Sequence, residues 1–500
     1  VQLSLPPSFT QPTESATTAI VATRRTIQTA RLHCLAVTGV TMSVESAEPD
    51  CHVSGGTAQV EGAGQAKSIG PKQIGRRWVS RRGCFWLTIA VTVVVALIGL
   101  LVVLYSFSDV FTPHRTVRYS IMFDAGSTGS RMHVFQFDVG SAKGGIIHLV
   151  NETYHRVSPG LSDYAKDPQH GADSLRSMLE KALVVVPTSM QSATMLSLKA
   201  TAGLRLLPEL EQHQLLEAVR VMFSHFPFRM GPRSVEIMDG LHEGFYAWVM
   251  VAFTLERKLS SNSVATLDLG GGSTQITFQP TDESTFAKKD HIHEFPLPGT
   301  GKQSVYVHSY LGGGQMYGRT EILKQSRVSE NGAKIVVESP CIHPDVGEED
   351  NSLFWEYIGY NYTVKPHAEG WFSFDNCYPL AQNYVKAMNI FAPKELPDKE
   401  MYLMSYYYDR AVESGLIRQG IEDHKELSVA DFRRRAEYEC RHRSANLVKN
   451  EFLCVDLTYI YALLHDGLQL PDTTKLTVAE KLRGSAVSWA LGAALSELEL

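Results

Sequence analysis

The sequence of 500 residues is short of positive charge: 47 lysines and arginines stand against 53 aspartates and glutamates, a formal net charge of -6. After the first hundred residues there is also no arginine-rich stripe and no basic patch interleaved with aromatics, so we exclude a nucleic-acid partner. Charged residues make up only 20% of the chain and hydrophobic residues 44%. This composition excludes disorder for most of the chain and predicts a large core, in one two-lobed domain or two separate domains.

Two common nucleotide-binding motifs are missing. Residues 298–303 end in Gly-Lys-Gln, whereas a P-loop needs Ser or Thr after the lysine, and Pro296 occupies the position of its first glycine. We interpret this stretch as a loop. The GxGxxG fingerprint of dinucleotide-binding folds is absent from both glycine-rich turns discussed below.

Long apolar runs are also scarce: one segment of the sequence is long enough to cross a membrane. No charged residue occurs between Gly83 and Ser108, and residues 84–106 predict a transmembrane helix through ~30 Å of hydrocarbon. A core helix seldom runs so long, and a signal peptide normally lies nearer the N-terminus. Basic residues such as Arg81 and Arg82 precede the run and Asp109 follows it. The positive-inside rule therefore predicts a single-pass type II protein with its bulk in the lumen.

Residues 1–82 are rich in Ser, Thr, Ala, Gly and Gln without sustained periodicity. Such a segment buries too little apolar area to offset its chain entropy, so we expect a disordered cytosolic tail. The first methionine is Met42, which suggests the hypothesis that residues 1–41 are translated upstream sequence and not native protein.

Cysteine is sparse, with seven residues, and four of them lie in the predicted lumenal part. An even set in an oxidising compartment predicts two disulfides. Proximity in sequence favours Cys341 with Cys377 and Cys440 with Cys454, although four cysteines allow three connectivities and metal ligation is an alternative. The lumenal part also contains two glycosylation acceptor triplets, which begin at Asn151 and Asn361.

From residue 116 onward short apolar strands alternate with amphipathic helical stretches, such as residues 173–185 and 208–223. This alternation predicts an α/β fold. A repeat lies within it: one strand runs into Asp124-Ala-Gly-Ser-Thr-Gly-Ser-Arg131 and another into Asp268-Leu-Gly-Gly-Gly-Ser-Thr-Gln275. The returning strands, residues 132–137 and 275–278, alternate as half-buried strands do. Two such hairpins indicate two related lobes.

The two turns have the chemistry of a phosphate site. Glycines let successive backbone N–H groups converge on an anion, and Ser and Thr add hydroxyl donors. An aspartate at the end of each strand can hold a hard divalent cation against phosphate oxygens. A plain glycine-rich hairpin is the commoner explanation of one such turn. Two matching turns, each opened by aspartate, favour the phosphate site.

Two further motifs make the pattern specific: Lys199-Ala-Thr-Ala-Gly-Leu-Arg205 and Ile237-Met-Asp-Gly-Leu-His-Glu243-Gly-Phe-Tyr-Ala-Trp248. With the two turns, they resemble the first four apyrase-conserved regions of the ecto-nucleoside triphosphate diphosphohydrolase family. The resemblance continues through three later motifs, so it covers nearly the whole chain after the apolar run: Ser405-Tyr-Tyr-Tyr-Asp409, Cys454-Val-Asp-Leu-Thr-Tyr459 and Ser488-Trp-Ala-Leu-Gly-Ala493. In detail the chain is most similar to the nucleoside diphosphatase branch, the fifth and sixth members.

The resemblance implies an actin-like α/β fold of two ribonuclease H-like lobes with the nucleotide in the cleft between them. Lobe I would comprise residues 116–238 plus 478–500, and lobe II residues 239–477. It also implies a secretory compartment, the Golgi or the endoplasmic reticulum lumen, with the cell surface or secretion after cleavage as alternatives.

The resemblance further assigns roles to individual residues. Asp124 and Asp268 would hold Ca²⁺ or Mg²⁺ through its water shell, and Glu243 would be the general base. Ser273 and Gln275 would orient the attacking water. The expected phosphate-binding residues are Ser127, Thr128, Gly129, Ser130, Thr201, Gly270, Gly271 and Gly272. Tyr408, in a tyrosine run interpreted as a strand, is the candidate for base stacking, and Arg205 receives no catalytic role.

The function implied is metal-dependent hydrolysis of the terminal phosphate of nucleoside diphosphates such as GDP, UDP and IDP, with triphosphates as weaker substrates. Two alternatives share the paired turns: a kinase of the actin-like superfamily, and a membrane-tethered nucleotide-binding protein that has lost turnover. A lumenal location favours a hydrolase over a kinase, and the presence of every motif residue needed for chemistry argues against lost turnover.

Overall fold

The computed structural model describes residues 81–111, 115–140, 147–257, 264–297, 301–331, 334–347, 351–357, 360–367, 371–442 and 444–498. The predicted tail lies outside these ranges, except for Arg81 and Arg82, and so does the hypothesis about residues 1–41. Arg81 and Arg82 form the first turn of a helix.

The first helix, α1 (Arg81–Phe111), contains a long apolar segment. Its segment Phe85–Val103 has a mean hydropathy of 2.8, and the side chains of this segment are exposed. A helix with no polar face and this length satisfies the requirements for a membrane span. The helix is compatible with the predicted single-pass anchor at residues 84–106. Which flank lies in the cytosol stays a prediction.

The first large sheet has the strand order β3-β2-β1-β4-β5. Its strands are β1 (Arg115–Ala125), β2 (Ser130–Gly140), β3 (Ile147–Val157), β4 (Met195–Ala200) and β5 (Val235–Ile237). Strands β1 to β3 are antiparallel, whereas β4 pairs with β1 in parallel and β5 pairs with β4 in parallel. Parallel neighbours need long crossovers, and helices supply them here.

The helices of this part are α2 (Pro168–Ser174), α3 (Arg176–Val185), α4 (Thr188–Gln191), α5 (Ala202–Arg205), α6 (Glu209–Phe223) and α7 (Gly240–Thr254). Helix α2 starts where Asp167 accepts a hydrogen bond from the backbone N–H of His170 and Pro168 occupies the first helical position. Helix α6 buries Leu215, Val219 and Met222, one stripe at helical spacing. Helices α3 and α6 confirm the expectation of helices at 173–185 and 208–223.

The later strands are β6 (Val264–Leu269), β7 (Ser273–Phe278), β8 (Ile292–Leu297), β9 (Gly301–Leu311), β10 (Arg327–Asn331), β11 (Lys334–Ser339), β12 (Leu353–Tyr357), β13 (Tyr360–Pro366), β14 (Glu400–Ser405), β15 (His424–Ser428), β16 (Lys475–Ala479), β17 (Lys481–Leu482) and β18 (Ser485–Ala486). The later helices are α8 (Glu283–Phe286), α9 (Gln315–Lys324), α10 (Phe374–Ala387), α11 (Tyr406–Glu413), α12 (Val429–Glu439), α13 (Ala445–Lys449), α14 (Leu453–Ala462) and α15 (Trp489–Glu497). A π-helical turn, Leu463–Gly467, extends α14.

The second large sheet has the order β15-β16-β14-β6-β7-β9-β8. Its central part, β9-β7-β6-β14-β16, repeats the first sheet: β6, β7 and β9 are antiparallel, and β14 and β16 join β6 in parallel. The repeated order, with helices as crossovers, is that of a duplicated actin-like α/β fold, as the resemblance implied. Strands β10 to β13 form a separate small sheet.

Helices α7 and α15 pack in a core that draws side chains from both large sheets. This core includes Phe135 of β2, Val307 of β9, Trp248 of α7 and Leu491 of α15. The first turn of α7, which carries Glu243, is therefore held between the two sheets.

Both disulfides join the cysteines that sequence proximity favoured. Cys341 is bonded to Cys377, and Cys440 to Cys454. The first bond links the segment after β11 to α10, and the second links the end of α12 to α14. The predicted pairing is confirmed.

Three local expectations were wrong. Strand β7 is buried on both faces because it lies inside the seven-stranded sheet, so it is not a half-buried strand. Residues 406–408 begin helix α11 and do not form a strand. The interpretation of residues 298–303 as a loop is wrong at Gly301 and Lys302, which belong to β9 and pair with β8, so this part of the stretch is a strand. Residues 298–300 lie outside the described ranges.

Candidate active site

The two glycine-rich turns close in the same way. In the first, between β1 and β2, the N–H of Gly126 donates to the carbonyl of Gly129 at 3.1 Å. In the second, between β6 and β7, the N–H of Gly270 donates to the carbonyl of Ser273 at 3.0 Å. Each turn follows a buried strand that ends in aspartate and one further residue. The sequence repeat is therefore also a repeat of backbone geometry.

The turns face each other across one cleft. Asp124 and Asp268 both line a cavity of about 670 Å³, together with Glu243. The closest approach is between Gly271 and Ser127, where a Cβ on Gly271 would overlap the Ser127 hydroxyl. With the Ser127 side chain in this position, only glycine fits at residue 271. A polyphosphate in this cavity would contact both turns at once.

Burial raises the pKa of both aspartates. Burial raises the pKa of Asp268 to about 6, and the charge of Asp124 adds to this rise. Burial also raises the pKa of Asp124, although Arg131 opposes the rise and donates a hydrogen bond of 3.1 Å to Asp124 Oδ2. Two buried carboxylates at one cavity carry more negative charge than the protein neutralises, which favours a bound cation.

The residues fit a hard divalent cation held partly by the substrate. Oδ1 of Asp268 is buried and has no hydrogen-bond partner, so it is available to a cation or to a water on a cation. Among the described residues no group of three or more histidine, cysteine, aspartate or glutamate side chains could hold a metal ion. One or two carboxylates completed by water and phosphate oxygens is the usual arrangement for Mg²⁺ at phosphate sites.

Glu243 stands at the centre of a buried polar network. Arg205 donates to its Oε2, and Nε2 of Gln275 lies 3.1 Å from the same oxygen. The Gln275 amide also lies 2.8 Å from the Ser273 hydroxyl and 3.0 Å from that of Ser309. Burial raises the pKa of Glu243 to about 7, Arg205 opposes the rise, and the negative charges of the two aspartates add to it. A carboxyl group with this pKa can accept a proton near neutral pH.

Most predicted site residues lie at the cavity. Those that line it are Asp124, Ser127, Thr128, Thr201, Glu243, Asp268, Gly270, Gly271, Gly272, Ser273 and Tyr408. Three lie behind its surface: Gly129 closes the first turn, Ser130 is buried at the start of β2, and Gln275 reaches Glu243 from β7. The roles of all these residues stay predictions.

A second glycine run, Gly312–Gly314, supports the second turn, and we did not single it out from the sequence. The N–H of Gly312 donates to the carbonyl of Gly272, and that of Gln315 to the carbonyl of Gly270, both at 2.8 Å. A Cβ on Gly314 would collide with the backbone of Gly271. Three successive glycines between a strand and a helix were a visible signal of this close approach.

Little in the sequence indicated the positions of other residues near the cavity. Ser405, which bonds the Asp268 side chain, has a positive φ of 61° at the junction of β14 and α11. Nothing in the local sequence requires that conformation. Tyr406 and Tyr408 both line the cavity, but Tyr408 is buried and donates its hydroxyl to the carbonyl of Glu422 at 3.0 Å. Arg205 donates to the Glu243 carboxylate and so holds it in place.

Comparison with known proteins agrees with this geometry. Residues 110–500 match the family described as GDA1/CD39 (nucleoside phosphatase). The chain is 37% identical to ectonucleoside triphosphate diphosphohydrolase 5 of Gallus gallus over 79% of this chain and 92% of the relative. It is 36% identical to nucleoside-diphosphatase uda-1 of Caenorhabditis elegans over 76% and 81%, respectively.

A solved structure shows the same fold. The crystal structure of nucleoside triphosphate hydrolases from Neospora caninum aligns with a TM-score of 0.51 and 14% identity, over 80% of this chain and 95% of that chain. Because the family match extends over nearly all of the chain after the apolar helix, the protein belongs to the GDA1/CD39 (nucleoside phosphatase) family.

Proposed function

We propose that this protein hydrolyses the terminal phosphate of nucleoside diphosphates such as GDP, UDP and IDP, and more weakly of triphosphates, with Ca²⁺ or Mg²⁺. The observation that carries the proposal is the placement of Glu243 and both aspartates at one cavity between the glycine turns. The names of the relatives, a nucleoside-diphosphatase among them, support the choice of diphosphates.

The turns would bind the two phosphates. Gly270, Gly271 and Gly272 of the second turn and Ser127 and Thr128 of the first turn line the cavity. The N–H groups of Gly271 and Gly272 and the two hydroxyls would donate to phosphate oxygens. Thr201, at the end of β4, would donate to the terminal phosphate. A cation held by Asp124 and Asp268 would neutralise phosphate oxygens and so lower the charge that the attacking water meets.

Glu243 would accept a proton from the attacking water. The water oxygen forms a bond to the terminal phosphorus while the bond from phosphorus to the bridging oxygen breaks, which yields a nucleoside monophosphate and inorganic phosphate. The Ser273 hydroxyl and the Gln275 amide, which lie 2.8 Å apart, would orient this water. Arg205 would hold the Glu243 carboxylate in place and keep part of it ionised.

Four further features belong to the same proposal. The chain would divide into lobe I (116–238 plus 478–500) and lobe II (239–477). It would lie in the lumen of the Golgi or endoplasmic reticulum behind a single-pass anchor. Tyr408 would stack on the base, and Asn151 and Asn361 would carry glycans. Both asparagines are exposed. In a secretory lumen the enzyme would consume nucleoside diphosphates released by glycosyl transfer.

The test is phosphate release by the full chain in detergent across a panel of nucleoside diphosphates and triphosphates, with Mg²⁺, Ca²⁺ or a chelator. Glu243→Gln keeps the shape and removes the base, so we expect a loss of about 10²-fold or more in kcat. Glu437→Gln, on the outer helix α12, removes a carboxylate that pairs with Arg433 at 2.9 Å and serves as the control.

Three outcomes would overturn the proposal. Full turnover by Glu243→Gln would mean that another group is the base. Phosphate transfer only in the presence of an acceptor would favour a kinase. Nucleotide binding without phosphate release in saturating cation would favour the non-catalytic alternative.

A further inference from the structure

The motif Cys454-Val-Asp-Leu-Thr-Tyr459 has no part in the mechanism above, yet it supplies a fully buried acid. Asp456 on α14 has no exposed surface. Nε of Arg319 donates to its Oδ1 at 2.7 Å, and a second guanidinium nitrogen of Arg319 donates to Oδ2. Nε of Arg410 lies 3.2 Å from Oδ2. A buried carboxylate with two buried arginines is costly unless its geometry is maintained, so it fixes the elements that carry the three side chains.

Arg319 connects Asp456 to the second glycine turn. It belongs to α9, whose first residues bind that turn: the N–H groups of Met316 and Tyr317 donate to the carbonyl of Gly271 at 3.0 and 3.1 Å. The Arg319 guanidinium also lies over the ring of Phe452, 4.3 Å from its centroid. Any shift of α9 along its axis would carry the turn with it.

Arg410 connects Asp456 to the cation aspartate. It belongs to α11, which begins directly after Ser405, and Ser405 bonds the Asp268 side chain. The Arg410 guanidinium lies over the ring of Tyr406, 4.9 Å from its centroid, and Tyr406 lines the cavity. Asp456 therefore touches both elements that shape the second half of the site.

Two more bonds from α14 act on the same region. The Tyr459 hydroxyl donates to the carbonyl of Gly313 at 2.6 Å, within the glycine run behind the turn. The disulfide of Cys454 with Cys440 ties α14 to α12 two residues before Asp456. Helix α14 is thus anchored on one side and contacts the supports of the turn on the other.

We infer that Asp456 is a positioning residue, which through Arg319 sets the second glycine turn and through Arg410 sets the Ser405 contact to Asp268. The inference rests on the proposed function, since it assigns the turn to phosphate and Asp268 to the cation. The role of Asp456 differs from a merely structural one because its two arginine partners act on different parts of the site.

The two arginines can be removed one at a time. In Arg410→Met the Asp456 carboxylate keeps both hydrogen bonds from Arg319. In Arg319→Met it keeps only the ion pair with Arg410 at 3.2 Å, so thermal unfolding first establishes that this variant is folded. Arg319→Met should raise the KM for the nucleoside diphosphate about 10-fold, because the turn loses its support, and leave the half-saturating cation concentration unchanged. Arg410→Met should raise the half-saturating Mg²⁺ or Mn²⁺ concentration about 10-fold and keep kcat at saturating cation.

Two measurements do not depend on turnover. Hydrogen exchange should become faster in peptides that cover residues 270–276 in Arg319→Met, whereas Mn²⁺ binding without nucleotide should weaken in Arg410→Met. Arg410→Lys keeps the charge without the planar fork and should restore part of the cation affinity. Arg434→Met, on α12, removes a guanidinium that pairs with Asp431 of the same helix and is the control.

The inference fails if folded Arg319→Met and Arg410→Met lose only kcat, with KM, cation half-saturation and Mn²⁺ binding all unchanged. It also fails if both variants shift the same constants equally, because the division of labour would then be absent. A wild-type protein that does not hydrolyse nucleoside diphosphates would instead refute the proposed function, and hydrogen exchange and Mn²⁺ binding would still test the inference.

Discussion

The two glycine turns share a backbone design but differ in what holds them. Around the first turn, support comes from strands β2 and β3: Arg131 bonds Asp124, and the Arg156 guanidinium lies 3.4 Å from the carbonyl of Thr128. The second turn is held by Gly312–Gly314 and the start of α9, and its aspartate is contacted by Ser405 from β14. The first turn supplies hydroxyl groups and has the Arg131 guanidinium beside its aspartate. The second turn supplies backbone N–H groups, and Oδ1 of its aspartate, Asp268, has no hydrogen-bond partner.

This difference separates two tasks. A turn with hydroxyls and a nearby arginine has side-chain donors of its own for phosphate. Glycine restricts the backbone least, so the conformation of a turn made of glycines depends on the residues packed around it. We therefore expect changes at the second turn to be the more damaging ones.

The largest expected effect is that of Gly271→Ala. The added methyl group overlaps the Ser127 hydroxyl and must displace either this hydroxyl or the turn that carries it. A displacement of about 1 Å at a reacting centre can cost ~10²-fold in kcat/KM, and we expect a loss of that order in phosphate release. Ser127→Gly in the same chain should recover part of the loss.

Gly231→Ala is the matched control for this change, since the nearest atom to its new methyl group is 3.9 Å away. Equal kcat/KM for Gly271→Ala and wild type would show that the turns do not approach each other during turnover.

The next effect concerns the two aspartates. Asp268→Asn should raise the half-saturating cation concentration about 10- to 100-fold, because Oδ1 of Asp268 is free for the cation or its water. Asp124→Asn should have a smaller effect, near 10-fold, because Arg131 already shares its carboxylate. Cation titrations of nucleotide hydrolysis measure both constants, and the reverse order would contradict the comparison.

The smallest effect is a shift of the pH profile. With the pKa of Glu243 at about 7, the base is ionised above that pH, so kcat/KM should rise with pH and level off above it. Arg205→Met removes the charge that opposes the rise, so the profile should move up by about one pH unit, a loss of roughly fivefold at pH 7. An unshifted acidic limb in a folded Arg205→Met protein would show that this pKa doesn't control turnover.

The same groups affect stability when no cation is bound. The raised pKa values of Asp268 (about 6) and Glu243 (about 7) mean that the folded protein binds more protons than the unfolded chain between pH 4 and 7. The free energy of unfolding should therefore fall as pH rises through this window in chelator, and thermal unfolding reports it.

The sequence predicted what local residue types determine. Asp124 and Asp268, each followed by glycines and a returning strand, were placed correctly at the ends of paired strands because a hairpin is a local structure. Both disulfides were predicted for the same reason. The tyrosines at 406–408 were assigned to a strand because aromatic residues favour strands, but the neighbouring β14 ends at Ser405 and a helix starts there.

What the sequence did not reveal are contacts between distant segments. Arg319 and Asp456 lie 137 positions apart, and no spacing rule connects them. The raised pKa of Glu243 depends on burial and on charges from three other segments, so composition near residue 243 could not give it. The second turn is supported by tertiary contacts from segments distant in sequence. For that reason the sequence predicted the turn itself but not the residues that support it.

The position of α15 has a consequence for biosynthesis. This last helix packs against α7, β1 and β2, and Glu497 accepts a hydrogen bond of 2.8 Å from Ser197, 300 positions earlier. The first sheet thus lacks part of its core until the final residues of the described chain have left the ribosome. The first sheet is translated early, but its core is complete only after α15 has been synthesised. Until then, the apolar side chains that α15 covers are exposed and can associate with other proteins.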